Sequence, residues 1–167
     1  MTRAALVAVF VAITAGPATH AGQQTSPTAD AHAHKVLTPD ALKWGPAPPA
    51  LPPGAEAAIL SGDPAVAGQP FTIRLKFPDG YAIAPHWHPV DEHVTVLQGT
   101  LMIGLGEKAD PAALKAMGTG AFGFMPKTVR HFARAKGATL IQVNAIGPFE
   151  VNYVNASDDP RRKSGSN

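Results

Sequence analysis

The chain is expected to fold as an all-β sandwich or barrel, and three observations carry that expectation. "FTIRLKF" (71–77) alternates Phe71, Ile73, Leu75 and Phe77 against Thr72, Arg74 and Lys76. That is the period of a strand with one buried face. Further apolar segments, all short, recur down the chain with Gly or Pro between them. Only one stretch carries helix punctuation. Many short strands and a single helical signal favour sheet-on-sheet or barrel packing.

The globular part is expected to begin near Ala55. After the strand at 71–77, "PDGY" supplies turn residues. Val94-Thr95-Val96-Leu97 reads as a second strand, with Gln98-Gly99 turning the chain and "TLMIGLG" (100–106) returning. "DPAALKAMG" (110–118) places Asp110 as N-cap, Pro111 at the first helical position and Gly118 at the end, which predicts one short helix. "FGFM", "RHFARA", "TLIQVNAI" and "FEVNYV" predict four more strands. "GTGAFG" (118–123) fits a dinucleotide-binding pattern, but that site needs a strand before it and a helix after it, and the order here is reversed. No internal repeat is evident.

The ends have a different character. Met1 to Arg3 give a short positive start, Ala4 to Ala15 an apolar run, Gly16-Pro17 a break, and Thr19-His20-Ala21 a small-x-small cleavage site. This is the layout of a secretory signal peptide over 1–21, too short to span a membrane. The 146 residues that follow (167 less 21) suffice for one domain. Arg3 is the only charged residue removed, so 13 basic residues remain against 12 acidic ones. That near-balance carries no nucleic-acid footprint. Absence of cysteine suits an exported protein without disulfides and excludes thiolate metal sites and a thiol nucleophile. Residues 22–54 read as a flexible, proline-rich lead-in. The stretch ending "GPAPPALPPG" cannot enter a sheet interior, because proline lacks the amide donor. It is expected to run extended over the domain surface, anchored by Trp44 and Leu51. The barrel is assigned to 55–157. Arg161, Arg162 and Lys163 stand among Ser and Gly in a tail, 158–167, expected to be disordered.

Chemistry concentrates in "PHWHPVDEHVTVLQG" (85–99), which holds three of the seven histidines. His86 and His88 lie two apart, so on a strand they leave the same face, about 6–7 Å apart. Two imidazoles so placed can lean onto one cation. Glu92 shares their parity but would lie about 13 Å away along a straight strand. A turn at Pro89 brings it back beside them. His93 is the rival, facing the ion if the turn is one residue longer. Glu92 is preferred because a carboxylate offsets part of a divalent charge. A further ligand must come from elsewhere, and His131 is the only histidine downstream. His32 and His34 also form an H-x-H, read as a surface feature of the lead-in. Arg74 and Lys76 are assigned to a solvated sheet face, with the barrel mouth as the alternative. Gln142 and Asn144 share a face and are candidate polar pocket residues, looking into the barrel or outward.

Gly80, His86, His88, Glu92 and Gly99 match the first motif of the cupin superfamily at every fixed position, which the chain resembles. Gly120, Pro126 and His131 fit the second motif. Thr128 stands there where the motif has glycine, and Ala135 where it has asparagine. The likeness extends over about 58–155 and is that of a small, secreted single-cupin protein. It implies a jelly-roll β-barrel with one short helix between the motifs, holding one divalent metal (Fe, Mn, Ni or Zn) on His86, His88, Glu92 and His131. Such a donor set leaves about two positions open on a six-coordinate ion and a net charge of about +1, attractive to a small anionic molecule.

The expected function is that of a metal-dependent dioxygenase or related oxidoreductase. The alternative is a non-catalytic metal- or ligand-binding module. A small-molecule ligand is the expected partner. No nucleic acid is expected, nor a membrane after signal cleavage, and a homodimer is the assembly kept open. The expected location is periplasmic or secreted.

Overall fold

A computed structural model describes residues 34–163. The expected signal peptide, residues 22–33 of the lead-in including His32, and the last four residues of the tail lie outside the described residues. From Val36 onward the chain forms one compact unit built on nine antiparallel strands. These are β1 (Gly45–Pro46), β2 (Glu56–Ser61), β3 (Pro70–Phe77), β4 (Ala82–Trp87), β5 (Glu92–Leu105), β6 (Lys115–Gly118), β7 (Phe122–Met125), β8 (His131–Ile146) and β9 (Asn152–Tyr153).

The long strand β8 is the spine. One edge pairs with β5 along most of its length, from Leu105↔His131 to His93↔Asn144. Its other edge pairs first with β4 (His86↔His131) and then with β3 (Phe77↔Thr139 to Pro70↔Ile146). The far edge of β5 takes β7 at its start and β6 at its end. Both long strands change character midway, where β5 shifts register around Gln98 and Gly137 in β8 has positive φ. The sheet thereby curls on itself as a jelly roll, with its apolar face inward. Val96 and Val143 are 0% and 1% exposed at the centre of that face, and the core continues through Phe71, Leu75, Leu101 and Ile141.

Three sequence expectations change. Gln98-Gly99 does not reverse the chain, because β5 continues through it. Gly99 has φ 76°, and a Cβ there would overlap the Ala138 carbonyl oxygen. The glycine lets the two long strands cross closely at the bend rather than ending one of them. "RHFARA" and "TLIQVNAI" likewise form one strand through Gly137. The helix expected over 110–118 shrinks to a 3-10 turn, Pro111–Ala113. Asp110 caps it by accepting from the Ala112 amide at 2.9 Å. Lys115–Gly118 then pairs with Ile103–Thr100, where sheet hydrogen bonding outweighs local helix preference.

The proline-rich segment is integrated with the barrel unit. β1 pairs with the edge of β2, and Trp44 lies under the Lys76 ammonium, 3.7 Å from the ring centroid. Leu51 packs against the core. The tail, too, begins with structure. Pro160–Lys163 form a short helical turn, α1, and Arg161 pairs with Asp159 at 2.8 Å and donates to the Val151 carbonyl at 3.0 Å.

Candidate metal centre

Three strands deliver the cluster. His86 lies near the end of β4, opposite His131 at the start of β8, and His88 follows one residue beyond β4. The chain turns at Pro89-Val90, and Glu92 opens β5. Asp91 locks that turn by accepting from the Lys127 amide at 2.8 Å. The His88 carbonyl accepts from the Thr128 amide at 2.8 Å. His86, His88, Glu92 and His131 are 4%, 4%, 7% and 3% exposed.

His86, His88 and His131 offer ligand atoms that all lie within 4.8 Å of one another. Each Nδ1 faces a backbone carbonyl: Ala84 for His86 at 2.8 Å, Glu150 for His88 at 2.7 Å and Val129 for His131 at 3.1 Å. Those carbonyls only accept, so each Nδ1 carries the proton and each Nε2 is left with its lone pair. The His88 ring is further fixed by stacking on Phe149, centroids 4.3 Å apart. Glu92 lies against two of the three imidazoles, its Oε2 3.5 Å from Nε2 of both His88 and His131.

The residues fit a divalent ion. Nε2 of His88 is buried with no hydrogen-bond partner, a costly state for a polar atom unless a cation takes its lone pair. The 3.5 Å separations exceed a good charge-assisted hydrogen bond but match two donors on one ion. Burial, with the neighbouring His131 and His88, pushes the His86 imidazole down to about 3, so it is neutral near pH 7 as a ligand must be. Burial works to raise the Glu92 carboxyl, but its contacts with His131 and His88 outweigh that and hold it below the ordinary carboxylate range. Three neutral nitrogens and one carboxylate suit Fe, Mn, Ni or Zn alike.

The cluster opens into a cavity of about 650 Å³ inside the barrel. Ile73, Leu75, Ile83, Leu101, Ile103 and Ile141 supply much of its wall. Apart from Glu92, its charged lining residues are Lys43, Glu150 and Arg161, all exposed at its rim.

His93 points to the opposite face of β5, where its ring stacks on Phe124 at 5.0 Å. Gln142 and Asn144 do not look into the barrel. They lie on the outer face, Gln142 accepting from Arg74 Nε at 3.1 Å and Asn144 donating to Thr72 Oγ1 at 2.7 Å. Their neighbours Ile141 and Val143 take the interior, since the apolar set of an alternating strand goes to the core. Arg74 and Lys76 share that outer face, as the solvated-face assignment expected. His34 is exposed. The carbonyls of Ala84, Val129 and Glu150 were not legible in the sequence, because a backbone acceptor leaves no residue signature. Phe149 gave only the signal of an aromatic residue near a strand.

Among solved structures, the chain is similar to the polyketide cyclase RemF from Streptomyces resistomycificus, at 20% identity and a TM-score of 0.61, over 79% of this chain and 93% of the cyclase. It is similar to a candidate acetylacetone dioxygenase from Methylibium petroleiphilum, at 18% identity and a TM-score of 0.58, over 77% and 85% of the two chains. An RmlC-like cupin from Shewanella frigidimarina matches at 14% identity and a TM-score of 0.53, over 69% and 93%. These likenesses establish the cupin fold. No curated protein matches the sequence. One family model matches residues 36–164, nearly the whole of the described unit. The chain, a cupin jelly roll, therefore belongs to the DUF4437 family, described as a domain of unknown function.

Proposed function

We propose that the protein is a metal-dependent oxidoreductase, a dioxygenase acting on a small molecule bound in the barrel, with His86, His88, Glu92 and His131 holding one divalent ion. The observation that carries this reading is the placement of the buried His/Glu cluster at a cavity large enough for a small organic substrate. A redox-active ion there would supply electrons and open coordination positions for joining substrate to dioxygen. The chain does the rest. Backbone carbonyls orient the three imidazoles, Glu92 reduces the charge of the centre, and the aliphatic wall excludes water. The remaining positive charge favours a substrate bearing an enolate or carboxylate. The fold likeness to a candidate acetylacetone dioxygenase supports the reading as analogy.

A second reading is a binding or sensing module. It is favoured by the charge distribution of the cavity, whose only buried carboxylate is Glu92 itself. Among the described residues, no separate acid–base pair stands beside the cluster.

Anaerobic Fe(II)-loaded protein separates the two. Under the enzyme reading it binds nitric oxide with a high-spin electron paramagnetic resonance signal, which a β-diketone or aromatic carboxylate perturbs. Oxygen uptake then follows with at least one such compound and is abolished in His86→Ala. Tightly held zinc, no oxygen uptake across a broad panel, and a ligand that raises Tm without being consumed would support the binding module instead. We also propose that the protein acts outside the cytoplasm. The positive start, apolar run and small-x-small site over 1–21 support this reading. Mass spectrometry of protein from its natural source is expected to find an N-terminus near Gly22, and an intact Met1 would contradict export.

A further inference from the structure

We infer that the proline-rich strap Lys43–Pro53, pinned by two tyrosine hydroxyls, is the specificity wall of the cavity and selects a substrate with an apolar body. The inference rests on the proposed function only in taking this cavity as the substrate's seat.

The strap has an unusual means of attachment. Prolines at 46, 48, 49, 52 and 53 leave it few amide donors, and beyond the Ala47 amide, which donates to the Ala55 carbonyl at 3.0 Å, it does not pair with the sheet. It offers carbonyls instead. Tyr153 donates its hydroxyl to the Ala50 carbonyl at 2.8 Å, and Tyr81 donates to the Pro52 carbonyl at 2.6 Å. The Tyr81 ring is held by stacking on Phe77, centroids 4.8 Å apart, and the Tyr153 ring lies 6.0 Å from that of His86. Tyr153 thus links the strap to the strand that carries a metal ligand.

Trp44 anchors the strap's start under Lys76 on the outer face, and leading up to these fixings the strap presents Pro48, Ala50 and Leu51 to the cavity. Opposite them stand the aliphatic side chains of β3, β5 and β8. The charges at the rim do not form a cationic receptor. Arg161 is engaged by Asp159 and the Val151 carbonyl, and Lys43 shares the rim with Glu150. A substrate can therefore place one polar head at the histidines, while the rest of it meets hydrocarbon. That is the chemistry of an aromatic or branched-alkyl compound with a single polar head, rather than of a sugar or a polyanion.

The test uses EDTA-treated full-length protein and the neutral apolar dye N-phenyl-1-naphthylamine, so that it does not depend on the metal. The dye is expected to bind at one site per chain with enhanced fluorescence. Leu51→Ser is expected to weaken binding about fivefold and Ala50→Trp, which fills the cavity, about tenfold or more. Tyr153→Phe, which removes only the pin, is expected to weaken dye binding while Fe(II) uptake stays at the wild-type level. Circular dichroism checks folding, and if Ala50→Trp does not fold then Leu51→Ser decides. No binding to folded wild-type protein would overturn the inference. So would wild-type affinity in Leu51→Ser, or binding abolished by Phe124→Ser on the outer face. Loss of metal binding with dye binding intact would defeat the metal reading and leave this one standing.

Discussion

The Thr128 amide donates to the His88 carbonyl at 2.8 Å, so the turn before one histidine of the cluster is tied directly to the backbone of another. Thr128 makes this bond at φ 66° and is the only non-glycine residue with positive φ among those described. Its own carbonyl accepts from Arg130 Nη1 at 2.7 Å. The cupin motif has glycine at this position, and the chain has kept the glycine conformation without the glycine.

A β-branched residue in the left-handed region costs about 1–2 kcal/mol, against roughly 0.5–1 kcal/mol for the extra freedom glycine gives the unfolded chain. Thr128→Gly is therefore expected to raise stability, by up to about 1 kcal/mol. Urea denaturation should show a higher midpoint at an unchanged slope. A lower midpoint would mean that the threonine side chain contributes more than its backbone costs.

Glu92 and His93 are neighbours that the sequence alone could exchange, and they occupy opposite faces of β5. Glu92→Gln keeps the shape and removes the charge, and is expected to weaken divalent-metal affinity by about 10- to 100-fold. His93→Ala is expected to leave affinity within about twofold, on the same scale. Isothermal titration with Fe(II) or Zn(II) ranks the two, and the reverse ranking would place His93 at the ion.

The metal-free protein should lose stability in acid. His86 titrates near 6.5 when unfolded and near 3 in the fold, where burial disfavours its charged form. Between those values the unfolded chain holds the extra proton, so stability falls as pH falls from about 6.5 toward 3. Glu92, lowered from 4.5, acts in the same direction below that pH. Tm of the metal-free protein is expected to drop by about 5–10 °C from pH 7 to pH 4, and His86→Leu should flatten the decline. A flat wild-type profile would contradict the burial of a neutral imidazole.

The cluster was legible because its members are side chains at fixed spacings. His86, His88 and Glu92 announce themselves by type and parity, and Pro89 accounts for the turn between them. What was not legible follows from the same physics. Gly99 and Gly137 read as strand ends, yet glycine equally permits the bend of a long strand against a close neighbour, and only the β5–β8 pairing decides between the two. Gln142 and Asn144 alternate with Ile141 and Val143, and alternation alone does not say which set faces inward. The cavity completed by the strap was invisible because proline spacing shows that a segment is extended, not what it covers. Asp110 and Pro111 did start a helical turn, but the following residues found a partner strand.

Metal content of the full-length protein tests the account most directly. After loading with Fe(II), Mn(II) or Zn(II) and exhaustive desalting, elemental analysis is expected to find one ion per chain in the wild type and in Asn144→Ala. His131→Ala is expected to lose most of it while circular dichroism still reports the β-fold. Retention of one ion by His131→Ala, or none by the wild type with any of the three metals, would contradict the claim that these three histidines and Glu92 form a metal centre.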